Sequence, residues 1–227
     1  MQQQIRVLST KKLLPNQKQF LLNANLSVIE SDFISTRSKP FDASSISGNL
    51  IFTSQNSVQS FVENPLSKSL TDRKIFCVGT KTRQLLEQHG FSVEVHTGYA
   101  ADLAEIIMLL HPRDTFTFFA GNMRRDTLPE ALNAAGIQFN EIVTYETTLT
   151  PNKIKASVDG ILFFSPSAVR SYVKDNKINK QTCFCIGTTT AEALQDLTNN
   201  LIIANQPTIE NTIIQCINYY KSVEAAN

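Results

Sequence analysis

The chain lacks long apolar runs, a strong excess of charge, paired cysteine spacings and any recognisable catalytic or metal-binding constellation, and each shortage removes a class of function. No stretch of the 227 residues approaches the roughly 20 apolar residues that a membrane-spanning helix needs. Met1-Gln2-Gln3-Gln4-Ile5-Arg6 runs straight into a strand pattern without the apolar core of an export signal, so the expected location is cytoplasmic. A net charge of +1 argues against a general nucleic-acid face, which must neutralise many phosphates, so any anion site has to be local. Cys77, Cys183 and Cys185 fall in apolar strand patterns and Cys216 in a helical one, which reads as reduced core packing; Cys183-x-Cys185 is not a metal spacing. His89, His96 and His111 fall at the ends of elements, where solvent-facing or capping roles suffice. There is no Walker loop, no dinucleotide fingerprint and no spaced metal-ligand set, so no cofactor and no metal are expected.

What the chain does contain is a series of apolar runs that stop at a turn and are followed at once by helical spacing. Ile161-Leu162-Phe163-Phe164 stops at Ser165-Pro166, and Ala168, Val169, Tyr172 and Val173 then recur at helical intervals. Cys183-Phe184-Cys185-Ile186 stops at Gly187 before Ala191, Ala193 and Leu194. Runs of this kind suit strands covered on both faces of a parallel α/β sheet. Ser165 can cap the helix after it, with Pro166 at its first position, and Thr189 with Glu192 reads as a capping box, as does Thr127 with Glu130. Such junctions gather hydroxyls and free N–H groups at the carboxyl ends of strands, where open α/β sheets bind ligands and where a helix start favours an anion.

The junctions also repeat. Phe52, Ser54, Val58, Ser60 and Val62 match Phe163, Ser165, Val169, Ser171 and Val173 at one constant offset. Phe76, Cys77, Gly79, Thr80, Thr82 and Leu86 then match Phe184, Cys185, Gly187, Thr188, Thr190 and Leu194, and the stretch from Val93 resembles that from Leu201. The unit from Phe116 through Gly121 and a helix to a strand around Ile142-Val143 has its counterpart at the amino terminus, from Ile5 to Ile29. The simplest arrangement is two similar α/β domains with the second inserted into the first: residues 1–34 and 150–227, and residues 44–143, with crossings at 35–43 and 144–149 that would form a double hinge.

Taken in order, Leu50 to Val58, Val78-Gly79 with Thr82, Gly121-Asn122 with Arg125-Asp126, Leu128-Pro129, Val143 with Tyr145 and Thr147, Phe163 to Val169, Ile186 to Ala191, and Pro207-Thr208 resemble the uroporphyrinogen-III synthase family over nearly the whole chain. The resemblance implies two open parallel-sheet, flavodoxin-like domains joined by a two-stranded linker. It implies a cyclising lyase that closes hydroxymethylbilane, a linear tetrapyrrole with acidic side arms, inverting the last ring and losing water. Lys11 stands where many relatives have arginine after the first strand; it keeps the charge without the planar fork. The proline often found after the second strand is missing around Asp32-Phe33.

Tyr145 is the candidate catalytic residue, a phenol placed to hydrogen-bond the departing hydroxyl where the second domain returns to the first; its plainer role is packing at the hinge. Ser54, Asn56, Thr82, Ser165, Thr189 and Thr190 are candidates to hold substrate carboxylates, with simple N-capping as the plainer role. Arg125 adds a candidate charge-assisted contact, or is a solvated surface charge. The expected partner is the small-molecule bilane, with no nucleic acid and no membrane, bound by a monomer. A non-enzymatic two-lobed binder of a small anion is the alternative; it would normally carry an export signal and would leave a bilane unchanged. A nucleotide-sugar glycosyltransferase would need a base and a nucleotide pocket that these residues do not supply.

Overall fold

The computed structural model describes residues 4–225. In chain order the elements are β1 (Arg6–Ser9), α1 (Pro15–Asn23), β2 (Ser27–Glu30), β3 (Ile34–Ser38), β4 (Asn49–Phe52), α2 (Gln55–Glu63), β5 (Ile75–Val78), α3 (Thr80–Gln88), β6 (Val93–Thr97) and α4 (Ala100–Leu110). They continue with β7 (Thr115–Gly121), α5 (Thr127–Ala134), β8 (Gln138–Leu149), β9 (Gly160–Phe163), α6 (Pro166–Asp175), β10 (Thr182–Cys185), α7 (Thr188–Glu192), β11 (Leu201–Ile203) and α8 (Ile209–Ala225). The chain forms two compact units, one from the segments up to Ser35 and from Thr148 onward, the other from Thr36–Thr147. No helix among the described residues is long and apolar enough to cross a membrane.

The first unit holds a five-stranded sheet in the order β11-β10-β9-β1-β2, with every pairing parallel. Reversed and read along the chain this is the 2-1-3-4-5 order of flavodoxin-like sheets. The second unit has the order β3-β8-β7-β4-β5-β6, with β4 to β8 in parallel register. Laid side by side, β2-β1-β9-β10-β11 and β8-β7-β4-β5-β6 correspond position by position, with α1 between β1 and β2 as α5 lies between β7 and β8. The sequence repeat therefore has a topological basis: β7–α5–β8 plays in the second unit the part that the amino-terminal β1–α1–β2 plays in the first.

Alternation along the strands explains why their apolar runs are unbroken. Leu8, Ile161, Phe163, Cys183 and Cys185 pack with Ala168, Val169 and Tyr172 of α6, while the intervening Val7, Leu162 and Phe184 pack with Leu21 of α1 and Ile213, Cys216 and Tyr220 of α8. Both faces are covered, so both sets must be apolar. In the second unit Ile51, Phe76, Phe116 and Phe118 meet α4 and α5, and Leu50, Phe52, Ile75 and Phe119 meet α2 and α3.

Two helix starts differ from their sequence reading. α7 begins at Thr188 behind an extended Gly187, which places Thr189 inside the first turn, where it cannot act as the cap of a box with Glu192. α5 begins at Thr127 behind Asp126, so the Thr127–Glu130 box is displaced in the same way. Ser54 and Ser165 do cap: their Oγ atoms accept from the Asn56 and Ala168 N–H groups, each at 3.1 Å. The strand anticipated around Ile142-Val143 runs from Gln138 to Leu149, its length hidden by Asn140, Glu141, Thr144, Glu146, Thr147 and Thr148.

All four cysteines are buried and unpaired. Burial pushes Cys77, Cys183 and Cys185 up to about 12, and Cys216 upward as well. A thiol that ionises near 9 when unfolded and near 12 when folded keeps its proton longer in the folded state, so stability is full below about pH 9 and falls as pH rises towards 12. Native protein is expected to resist iodoacetamide at neutral pH and to take up the label on all four thiols only after denaturation; rapid labelling of native protein would contradict this burial.

Candidate functional site

In an open α/β sheet the chain leaves a crevice where the order of strand connection reverses, outside the carboxyl ends of the strands. In the second unit that point lies between β4 and β7, and in the first between β1 and β9. The sequence-derived candidates distribute over these two edges.

At the edge of the second unit, Ser54 ends β4 and caps α2, leaving Asn56 exposed on its first turn. Beside it Gly79, at φ +91, ends β5 and starts α3 without a side-chain cap. Thr82 sits in that first turn, 5% exposed, its N–H donating to the Gly79 carbonyl at 3.0 Å. On the other side of β4, β7 ends at Gly121, which pairs in register with Tyr145 of β8. The half-buried Tyr145 ring lies directly on Gly121: a β-carbon there would fall 2.6 Å from the ring Cε2 and 2.7 Å from the phenol oxygen. Ser54, Asn56, Thr82 and Tyr145 thus share one edge of one sheet.

Arg125 is exposed in the turn between β7 and α5. Its neighbour Arg124 is the structural member of the pair: its guanidinium donates to Glu141 at 2.7 Å and also to Asp126. Burial lowers the Arg124 pKa and these two carboxylates raise it by more, which holds the group charged.

In the first unit, Ser165 ends β9 and caps α6, its Oγ also 2.9 Å from Ser167 Oγ. Next to it β10 ends at Gly187 and the α7 start, with Thr189 half-buried and Thr190 only 1% exposed. On the β1 side, Thr10 ties the strand end to β9 through its Oγ1 and N–H, both donating to the Leu162 carbonyl at 2.7 and 3.1 Å. The exposed Lys11 follows. Asp32 and Glu30 accept from the Lys12 and Leu13 N–H groups, each at 2.8 Å, and so fix this loop. Burial raises the Glu30 pKa, but the hydrogen bonds from Lys18 and Leu13 outweigh it and leave the carboxyl below its ordinary range.

A concavity of about 450 Å³ lined by Lys153, Tyr172, Lys174 and Asn179 lies elsewhere, towards the end of α6 opposite to Ser165. It touches none of the candidates. Gly121 and Asn122 also stand at the second unit's edge, and the sequence alone gives neither a role. Their significance depends on which side chain crosses Gly121, and a strand's partner is not written in its own residues.

With this geometry in hand, comparison with known proteins places the chain. The family model described as uroporphyrinogen-III synthase HemD matches residues 36–214. The chain belongs to the uroporphyrinogen-III synthase family. A uroporphyrinogen-III synthase of Chlorobaculum parvum is 29% identical over 172 residues, covering 65% of this chain and 69% of that protein. The porphyrin biosynthesis protein HemD of Ruminiclostridium josui is 28% identical over 188 residues, 73% of this chain but 37% of the relative's length. Among solved structures, the uroporphyrinogen-III synthetase of Helicobacter pylori superposes with a TM-score of 0.71 at 21% identity, over 95% of this chain and 99% of that one. A mutant synthase of Thermus thermophilus does so with a TM-score of 0.67 at 14% identity, over 97% and 99%. At these identities the structural likeness speaks for the fold, and the family assignment rests on the sequence match.

Proposed function

We propose that this chain is a uroporphyrinogen-III synthase, a cyclising lyase of tetrapyrrole biosynthesis that converts hydroxymethylbilane to uroporphyrinogen III. The observation that carries the reading is the family match from residue 36 to residue 214, which takes in the strand ends and helix starts at Ser54, Gly79, Gly121, Ser165 and Gly187. The substrate is a flexible chain bearing acidic arms. Rows of helix starts, at Ser54, Gly79, Ser165 and Gly187, present the positive ends of helices, which suit carboxylates without requiring a strong excess of positive charge.

The reaction begins when the terminal hydroxyl leaves as water and an azafulvene forms. The last ring then closes through a spirocyclic pyrrolenine and is inverted. Spontaneous closure gives the uninverted type I isomer, so the protein has to govern geometry more than it has to supply a powerful catalyst, and orientation alone accounts for several kcal/mol (on the order of 7–11 at best). We assign Tyr145 as the group that hydrogen-bonds the departing hydroxyl and assists its protonation. We assign Ser54, Asn56, Thr82, Ser165, Thr189 and Thr190, with their neighbouring amides, to the acidic arms, and Arg125 to a charge-assisted contact. Thr82 and Thr190 are buried, so in this reading they act chiefly by shaping the turns that start α3 and α7. The enzyme works in this reading as a cytoplasmic monomer, without nucleic acid or membrane.

The test is to supply freshly made hydroxymethylbilane and separate the isomers by chromatography. Type III product is expected. Type I product alone rejects the activity and favours an anion-binding protein that leaves the bilane to close by itself.

A further inference from the structure

The pairing of β7 with β8 is regular until its last step. Ala120 pairs with Val143, but Gly121 pairs with Tyr145, so Thr144 is an extra residue in β8. An insertion of this kind bends the strand and re-aims the side chains beyond it. Thr144 is fully buried, its Oγ1 directed to the Ala120 carbonyl at 3.4 Å, and Tyr145 arrives over Gly121 in its place.

Asn122 holds that arrangement from the other strand. Its backbone N–H donates to the Tyr145 carbonyl at 3.2 Å; its side-chain oxygen accepts from the Thr147 N–H at 2.7 Å, and its amide nitrogen donates to the Thr147 carbonyl at 3.3 Å. Asn122 thus continues the ladder past the irregularity, clasping β8 at Tyr145 and at Thr147. Gly121 is not among the glycines with positive φ, so its backbone would accept any residue; what requires glycine is the ring lying on it. Tyr145 is only half-buried, so this is a device that fixes one face of an accessible phenol rather than a filled core.

We propose that Gly121 and Asn122 are positioning residues for the cyclisation: Gly121, by omitting a β-carbon, and Asn122, by clasping β8, set where the Tyr145 phenol stands. This deepens the assignment of Tyr145 and rests on it. A displacement of about 1 Å at a reacting group is enough to cost roughly a hundredfold in rate.

The experiment compares Gly121→Ala, Tyr145→Ala and the double variant on freshly made hydroxymethylbilane, with thermal melts in parallel. Gly121→Ala is expected to lower kcat roughly ten- to hundredfold with KM little changed. In the Tyr145→Ala background the added methyl meets no ring, so the double variant should match Tyr145→Ala alone. A wild-type kcat for Gly121→Ala, or an equal fold loss in both backgrounds, overturns the positioning role while leaving the Tyr145 assignment in place. A wild-type rate for Tyr145→Ala overturns both. If Gly121→Ala does not fold, Asn122→Ala carries the test: it adds no bulk, should lower kcat in the wild-type background and not in the Tyr145→Ala one, and an unchanged kcat contradicts the proposal.

Discussion

Tyr145→Phe is expected to slow cyclisation roughly ten- to hundredfold while the enzymatic product remains type III. The substitution removes the phenol oxygen and leaves the ring on Gly121, so the loss reports the hydroxyl rather than the packing. The effect belongs at or below the lower end of what a general acid contributes, because much of the work lies in folding a flexible bilane into one geometry. Inversion of the last ring follows from that geometry, which is why the isomer is retained. The share of type I should nevertheless rise with time, since a slower enzyme competes less well with spontaneous closure. Turnover at the wild-type rate, measured with substrate supplied immediately after its synthesis, removes the assignment.

Phe119→Ala is expected to cost about 3–5 kcal/mol, the range for deleting a buried phenylalanine side chain. Phe119 is fully buried; its ring stacks on Phe52 at 4.8 Å with an interplanar angle of 5°, lies 4.9 Å from Phe61 and 5.9 Å from Phe41. These rings join β7, β4 and α2, the elements that set the edge where Ser54 and Gly121 stand. A domain's whole stability is about 5–15 kcal/mol, so the second unit should melt well below the wild type, by roughly 10–20 °C. A melting curve within about 2 °C of wild type would mean that this aromatic cluster does not hold the unit together.

The parallel α/β class was legible because strands covered on both faces must be apolar without interruption, and Ile161 to Phe164 and Cys183 to Ile186 show it directly. The serine starts at Ser54 and Ser165 were legible because the cap is a local interaction, made by the residue that the sequence displays. The start of α5 lies one residue and that of α7 two residues ahead of the sequence reading, because Asp126 and Gly187 can take the cap position as readily as Thr127 and Thr189. β8 was underestimated since its polar residues conceal a strand of 12 residues, and the extra residue at Thr144 exists only relative to the register of β7. Of the Arg124-Arg125 pair, the sequence had no means of telling which is drawn into Glu141. The burial of Thr82 and Thr190 was equally hidden, since a hydroxyl in a first turn faces either way until the sheet behind it is in place.

Titration of isotopically labelled protein with uroporphyrinogen III kept in its reduced form, followed by backbone amide NMR, reads the central claim residue by residue. The largest shifts are expected at the helix starts around Asn56, Thr80, Ser167 and Thr188, and at Asn122 beside Tyr145. Shifts confined to the opposite strand ends, at Thr115, Gly160 and Thr182, or to the concavity around Lys174 and Asn179, would contradict it.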